Sequence, residues 1–188
     1  DFSYGTVGNS TPTGEKPQSL LWWNDGTWWG VLWDAGAVAY AVHKFDVATQ
    51  SWASTGTVVD SRTSAKGDVL WDGQRLYVAT YTFSSSAGPV TPSNAGRLYR
   101  FSYAPATDTY TLDPGFPVLV NGSKSETLVL DKDTSGKLWV TWVEAGKVKI
   151  NRSIGDDLTW GVPFDLPAQS TNANSDDISS VVAMGGKI

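Results

Sequence analysis

The chain of 188 residues has no cysteine, a single histidine and a single methionine. The absence of cysteine excludes a disulfide framework and any zinc or iron–sulfur site with thiolate ligands. Charged residues make up only 18% of the chain and the formal net charge is −5, so the sequence lacks the basic surface that follows nucleic-acid phosphates. No apolar run approaches the roughly 20 residues of a membrane-spanning helix. We therefore expect no nucleic-acid partner, no membrane span and no cofactor.

Tryptophan and glycine are abundant, with 10 and 19 copies. Aromatic residues fit the pleated surface of a sheet and glycine marks its turns, so this balance predicts an all-β protein. A surface rich in Trp, Gly, Ser and Thr and free of Cys is typical of an exported bacterial protein. We expect an extracellular or cell-surface location.

A four-strand unit repeats along the chain at intervals of about 50 residues. Each copy begins with an apolar run that ends in a tight turn, and a second, aromatic strand follows the first three turns. Two further strands complete each unit. The four turns are Asn24-Asp25-Gly26, Trp71-Asp72-Gly73, Thr134-Ser135-Gly136 and Met184-Gly185-Gly186. Such repeats predict a β-propeller of four-stranded antiparallel blades.

The repeats divide the chain into about three blades and the inner strand of a fourth. The predicted boundaries are an extended lead-in or strand of a preceding blade at 1–15, blades at 16–64, 65–122 and 123–171, and the start of an incomplete blade at 172–188. Blade 2 carries an inserted polar loop at 84–95. Three blades cannot close a ring, because propellers have 4 to 8. We expect a fragment of a larger propeller, with a ring completed by another copy of the chain as the alternative.

Two motifs carry a resemblance to known propeller families. The segment from Asp46 to Trp52, Asp-Val-Ala-Thr-Gln-Ser-Trp, resembles the turn before the outer strand of kelch-type blades. The segment from Ser153 to Trp160 resembles the Asp-box of sialidase-like propellers, with Gly155 and Asp157 in exchanged places. In both families these motifs are structural turns. The resemblance therefore implies the propeller architecture, and no sialidase site residue is carried over.

Five tryptophans lie within residues 22–33, Trp-Trp-Asn-Asp-Gly-Thr-Trp-Trp-Gly-Val-Leu-Trp. Adjacent side chains on a strand point to opposite faces of the sheet, and a propeller blade is covered on both faces by its neighbours. We interpret the cluster as core between blades. Stacking platforms for sugar rings are the alternative interpretation.

The starts of the inner strands carry a recurring polar pattern. A lysine is followed two residues later by an amide or a carboxylate in three copies, and the fourth copy is acidic. If the ring closes, these residues surround one funnel: Lys16, Gln18, Lys66, Asp68, Lys124, Glu126 and Asp177. Such a cluster can bind a glycan or a protein ligand, although solvated strand ends with weak ion pairs would look the same in the sequence.

Three functions remain open at this stage. Repetition without a catalytic motif favours a recognition or display module that binds a glycan or a protein. A sialidase-like glycoside hydrolase is the second hypothesis, with Asp68, Glu126 or Asp177 as acid or base. The third is a structural subunit of an extracellular assembly. Asp131 and Asp133 weakly resemble a calcium loop, but the pattern lacks the later glutamate and a plain turn between the first and second strands explains it.

Overall fold

The computed structural model describes residues 16, 18–82, 94–122, 125–168, 172–174 and 177–188. All regular secondary structure in these ranges is β-strand. The same ranges therefore contain no helix long and apolar enough to cross a membrane. The prediction of an all-β protein is confirmed.

The strands form three antiparallel sheets, and the main path of each contains four strands in sequence order. Sheet 1 contains β1 (Leu21–Asn24), β2 (Thr27–Asp34), β3 (Ala39–Asp46) and β4 (Ser51–Asp60). Sheet 2 contains β5 (Ala65–Trp71), β6 (Arg75–Thr82), β7 (Arg97–Ala104) and β8 (Thr109–Leu112), with the short β9 (Val118–Leu119) also paired to β7. Sheet 3 contains β10 (Val129–Lys132), β11 (Leu138–Glu144), β12 (Lys147–Ile154) and β13 (Asp156–Trp160), with β14 (Phe164–Asp165) also paired to β12.

Tight turns at the repeated glycines join the first and second strands. Asp25 and Gly26 have φ values of 49° and 75°, and the two-residue turns that suit a twisted hairpin require positive φ at both central positions. Gly185 and Gly186 adopt the same conformation, with φ of 58° and 77°. Met184 and Lys187 exchange both backbone hydrogen bonds across that turn, at 2.9 and 3.1 Å. The fourth copy of the repeat therefore forms a turn like the first.

The sheets stack face to face in sequence order. One apolar core lies between sheets 1 and 2, and a second lies between sheets 2 and 3. Alternation along β6 explains this, because Leu76 and Val78 enter the first core while Tyr77 and Ala79 enter the second. Strand β5 lies beside both β1 and β10. Sheet 2 is consequently covered on both of its faces.

The interpretation of the tryptophan cluster as core is correct for three rings and wrong for two. Trp22, Trp29 and Trp33 are buried against sheet 2, and Trp29 is 0% exposed. Trp23 and Trp28 are 52% and 45% exposed, and they contact each other edge to face. They lie on the face of sheet 1 that points away from sheet 2. No other described sheet covers that face.

The outer strand of sheet 3 is divided into two short strands, unlike the single fourth strand of sheet 1. Trp160 ends β13, and the outer position continues in the separate β14. The cause is a register shift at Ser153 and Ile154, followed by Gly155 at a φ of 79°. Asp156 Oδ1 stabilises this turn by accepting hydrogen bonds from two following backbone N–H groups, those of Leu158 and Thr159.

Candidate functional site

The candidate site lies where the inner strands of the three sheets begin. Ser19, just before β1, forms a parallel bridge to Asp68 on β5. The backbone N–H of Val69 donates to the carbonyl of Ser19 at 2.7 Å. These contacts bring the segment before β1 against the start of β5. We call the predicted residues here, together with the neighbours identified below, the inner-strand site.

Four of the predicted residues have contacts or burial that tie them to this region. Lys16 Nζ lies 2.6 Å from Oε2 of Glu126, which joins the segment before β1 to the segment before β10. The backbone N–H of Gly67 donates to Oε1 of Gln18 at 3.2 Å. Lys66 and Glu126 are each only 2% exposed, so these are not solvated strand ends. The inner-strand site is therefore a buried polar cluster, and the expected open funnel is not visible in it.

Asp68 links sheet 2 to sheet 3. Its Oδ2 accepts a hydrogen bond from the backbone N–H of Leu130 on β10 at 2.9 Å. Burial raises the pKa of the Asp68 carboxyl to about 6, and the nearby charge of Asp131 acts in the same direction. Asp68 thus carries a carboxyl that titrates near neutrality on an inner strand. It can therefore donate or accept a proton near pH 6.

Tyr81 belongs to the site although the sequence pattern did not indicate it. It lies at the end of β6, where it pairs with Lys66 on β5. Burial raises the pKa of its phenol, and the charges of Asp68 and Glu126 raise it further. The pairing rule alone could have located it, because the end of a second strand faces the start of the first in an antiparallel hairpin.

Several buried side-chain atoms of the site have no hydrogen-bond partner among the described residues. Most buried polar atoms in proteins are hydrogen-bonded, and each exception calls for an explanation. The atoms come from the segments before β1 and β10 and from β6: Gln18 Nε2, Tyr81 Oη, Ser125 Oγ, Glu126 Oε1 and Thr127 Oγ1. They include amide and hydroxyl donors beside a carboxylate acceptor, which is the set that binds sugar hydroxyls.

Of the two remaining predicted residues, Asp177 has no described contact with this cluster. Lys124 lies outside the described residues. Asp177 is exposed, and its described hydrogen bonds are with Asn174, which donates its N–H to Oδ2 at 2.7 Å. The turn at Asp177 is therefore local.

Asp131 and Asp133 form turn and backbone contacts. Both oxygens of Asp133 accept hydrogen bonds, including one from the indole of Trp139 at 2.8 Å. Asp131 Oδ2 accepts the backbone N–H of Ala183 at 2.7 Å. The described residues contain no group of three or more His, Cys, Asp or Glu side chains that could hold a metal ion. The arrangement favours the plain-turn interpretation over calcium.

Arg62 and Arg97 lie beside one carboxylate outside the inner-strand site, that of Asp60. Arg62 binds both oxygens of the buried Asp60, and its Nη2 lies 2.6 Å from Oδ2. Arg97 Nη1 lies 3.9 Å from the same carboxylate. Burial raises the pKa of Asp60, but the hydrogen bonds and charge of Arg62 outweigh it and leave the pKa below its ordinary value. This clamp ties the end of β4 to sheet 2.

Asp68→Asn is expected to stabilise the protein at pH 7.5 and to leave it unchanged below pH 4. The folded pKa of Asp68 lies near 6, above its ordinary value of 3.8, so the neutral carboxyl stabilises the fold. That stabilisation is full below pH 3.8 and is lost as the pH rises through 6, at a cost of roughly 3 kcal/mol. The amide keeps an acceptor for Leu130.

Urea denaturation of both proteins at pH 4 and pH 7.5 measures this difference. Asp165→Asn is the matched control, because Asp165 is exposed on β14. An equal difference in unfolding free energy between the Asp68 variant and the native protein at both pH values would contradict the assignment.

No protein-family model matches this sequence, and no curated protein sequence matches it.

Proposed function

We propose that the three sheets are consecutive blades of a β-propeller and that this scaffold serves recognition. The support is the combination of sequence-ordered four-stranded sheets, face-to-face stacking and inner strands that lie side by side. Propellers that bind ligands do so where their inner strands meet. The inner-strand site is the ligand site in this proposal, and an extracellular or cell-surface protein is the setting that the composition favours.

The observation that carries the proposal is the set of unpartnered polar atoms at the inner-strand site. A ligand with many hydroxyl groups offers each of them a donor or an acceptor, so a glycan fits better than an apolar molecule. A polar protein loop offers similar groups. Lys16 and Gln18 are less buried than Glu126, so a ligand reaches the site past these two side chains.

Glu126→Gln is expected to weaken glycan binding about tenfold or more, because hydrogen bonds to a charged acceptor contribute roughly 1.5–3 kcal/mol. A glycan array identifies the ligand, and calorimetric titration then compares the native chain with the variant. Asp165→Asn is the control, since it removes the same charge from the exposed β14. Circular dichroism establishes that the Glu126 variant is folded. Unchanged affinity in a folded variant would refute the proposed site.

A sialidase-like glycoside hydrolase is the second candidate, and the raised pKa of Asp68 favours it. A carboxyl with a pKa near 6 suits a general acid, and Glu126 would be the second carboxylate. The raised pKa of Tyr81 opposes a tyrosine nucleophile. Assaying the samples from the calorimetric titration for released reducing sugar separates the two functions. Sugar release by the native chain that is lost in Asp68→Asn would favour hydrolysis over recognition.

A further inference from the structure

Residues 179–188 lie over the outward face of sheet 3 and are tied to it at two points. The Thr141 hydroxyl on β11 donates to Oγ of Ser179 at 3.0 Å, and the backbone N–H of Ala183 donates to Oδ2 of Asp131 at 2.7 Å. We call residues 179–188 the strap. Because the strap occupies this face, the sheet beneath it is not a free surface for another sheet.

A cavity of about 570 Å³ remains between the strap and sheet 3. Small-molecule sites in proteins usually measure roughly 300–1,000 Å³ and have mostly apolar walls with a few polar groups. Most of the lining here is apolar and comes from both the sheet and the strap: Trp139, Ile150, Phe164, Leu166, Val182 and Ile188. The cavity therefore has the size and the walls of a small-molecule site.

Asp133 supplies a carboxylate to the wall of the cavity. Its Oδ1 accepts hydrogen bonds from the backbone N–H groups of Ser135 and Lys137 and from the Ser135 hydroxyl. Its Oδ2 accepts one described hydrogen bond, from the indole of Trp139 at 2.8 Å. A carboxylate oxygen can accept two, so Oδ2 retains room for a further donor. The hydrogen bonds from the Ser135 and Trp139 side chains hold the pKa of the Asp133 carboxyl below its ordinary value, so its charge persists at neutral pH.

The charges at the cavity select the ligand. Among the described residues that line it, Asp133 alone carries a charged side chain. Arg152 lies outside this lining, with its guanidinium 5.3 Å from the centre of the Trp139 ring, and Asp131 adds a second carboxylate on β10 opposite Trp139. A ligand inside the cavity meets the carboxylate of Asp133 directly, which favours an ammonium group over an anionic one.

We infer that this cavity is a binding site for a small amine that carries a flat apolar ring. The ring packs among Trp139, Phe164 and the strap residue Val182, and the ammonium group donates to Asp133. The residues that line the cavity are all different from those of the inner-strand site. Amine binding is therefore a second function, beyond recognition at the inner-strand site.

Three probes that share one ring system and differ in charge test the inference: naphthylmethylamine, naphthylmethanol and naphthoate. Calorimetric titration of the native chain near neutral pH should show that the amine binds at least about tenfold more tightly than the carboxylate, with the alcohol between them. Raising the salt concentration to about 0.5 M should narrow the difference, because salt screens partly exposed charges.

Two variants separate the charge of the site from its apolar wall. Asp133→Asn should lower the affinity for the amine to that for the alcohol and leave the alcohol unaffected, since the amide oxygen still accepts hydrogen bonds in the turn. Phe164→Ser should weaken all three probes by about fivefold or more, because it removes part of the apolar wall. Trp28→Ser is the matched control, since it removes an exposed aromatic side chain from sheet 1 and should leave all three affinities unchanged.

Several results would overturn the inference. They are the absence of binding of all three probes to the native chain, equal affinity for the amine and the carboxylate, and a preference for the amine that survives in Asp133→Asn. Equal weakening in Trp28→Ser and Phe164→Ser would also overturn it, because the probes would then bind exposed aromatic side chains in general. Circular dichroism of each variant establishes that lost binding does not reflect unfolding.

Discussion

Trp29→Ala is expected to destabilise the protein by about 3–5 kcal/mol, the usual cost of removing a fully buried tryptophan. The Trp29 ring is 0% exposed and contacts Tyr103 and Tyr110 of sheet 2 edge to face. Its indole N–H donates to the carbonyl of Asn24 at 2.9 Å. Alanine leaves a cavity at the centre of the first core and removes that hydrogen bond. The change in unfolding free energy is read from guanidinium denaturation followed by far-ultraviolet circular dichroism.

The neighbouring residue supplies the control. Trp28→Ala removes the same side chain one position earlier, from the opposite and exposed face of β2, and is expected to cost about 0.5 kcal/mol or less. Equal costs for the two alanine variants would contradict the described packing of sheet 1.

Arg62→Met is expected to destabilise the protein by a similar amount, about 3–5 kcal/mol, because it leaves the carboxylate of Asp60 buried without its main partner. Arg62 also donates to the carbonyl of Ala95 at 2.7 Å and to two hydroxyls on β6, those of Thr80 and Thr82. Thermal and urea denaturation measure the loss. Replacing the whole pair, with Asp60→Leu added, should recover most of it, since no unpaired charge then remains.

Lys149→Met tests whether burial of the ion pair causes the large loss of stability expected for Arg62→Met. Lys149 lies 2.5 Å from Oδ1 of Asp165, a distance close to that of the Arg62–Asp60 pair, but Asp165 is half exposed. An exposed pair contributes at most about 1 kcal/mol. A loss in Lys149→Met as large as that in Arg62→Met, or no recovery in the double variant, would show that burial does not set the cost.

The strands and turns could be predicted because their signals are local. Alternating aromatic residues and turn glycines such as Gly26 and Gly136 depend on backbone geometry within a few residues. The alternation shows that Trp28 and Trp29 lie on opposite faces of the strand, but not which of the two faces a neighbouring sheet covers. The inward ring was therefore predicted correctly and the outward ring was not.

The candidate site could be predicted only in part, because some of its features are local in the sequence and others depend on how distant segments meet. The spacing of Lys66 and Asp68 before a strand is visible in the sequence, whereas the approach of Tyr81 requires the register of β5 against β6. The clamp between Asp60 and Arg62 was not predicted, because a two-residue spacing in a connection is a weak signal. Burial of Glu126 depends on how three separate segments meet, which no local pattern encodes.

The ion pairs between neighbouring sheets have a consequence for how such a chain can change in length. Lys44 of sheet 1 binds Asp108 of sheet 2, and Arg100 of sheet 2 binds Asp157 of sheet 3, so each of these two contacts pairs a cation with an acid of the next sheet. Removal of the whole middle unit would bring Lys44 opposite Asp157 and preserve the pairing of a cation with an acid. Tandem duplication of that unit would add one new contact, in which Arg100 of the first copy meets Asp108 of the second, again a cation with an acid. Whole-unit gain and loss are therefore genetic changes that this architecture tolerates, while an insertion within a strand disturbs its register.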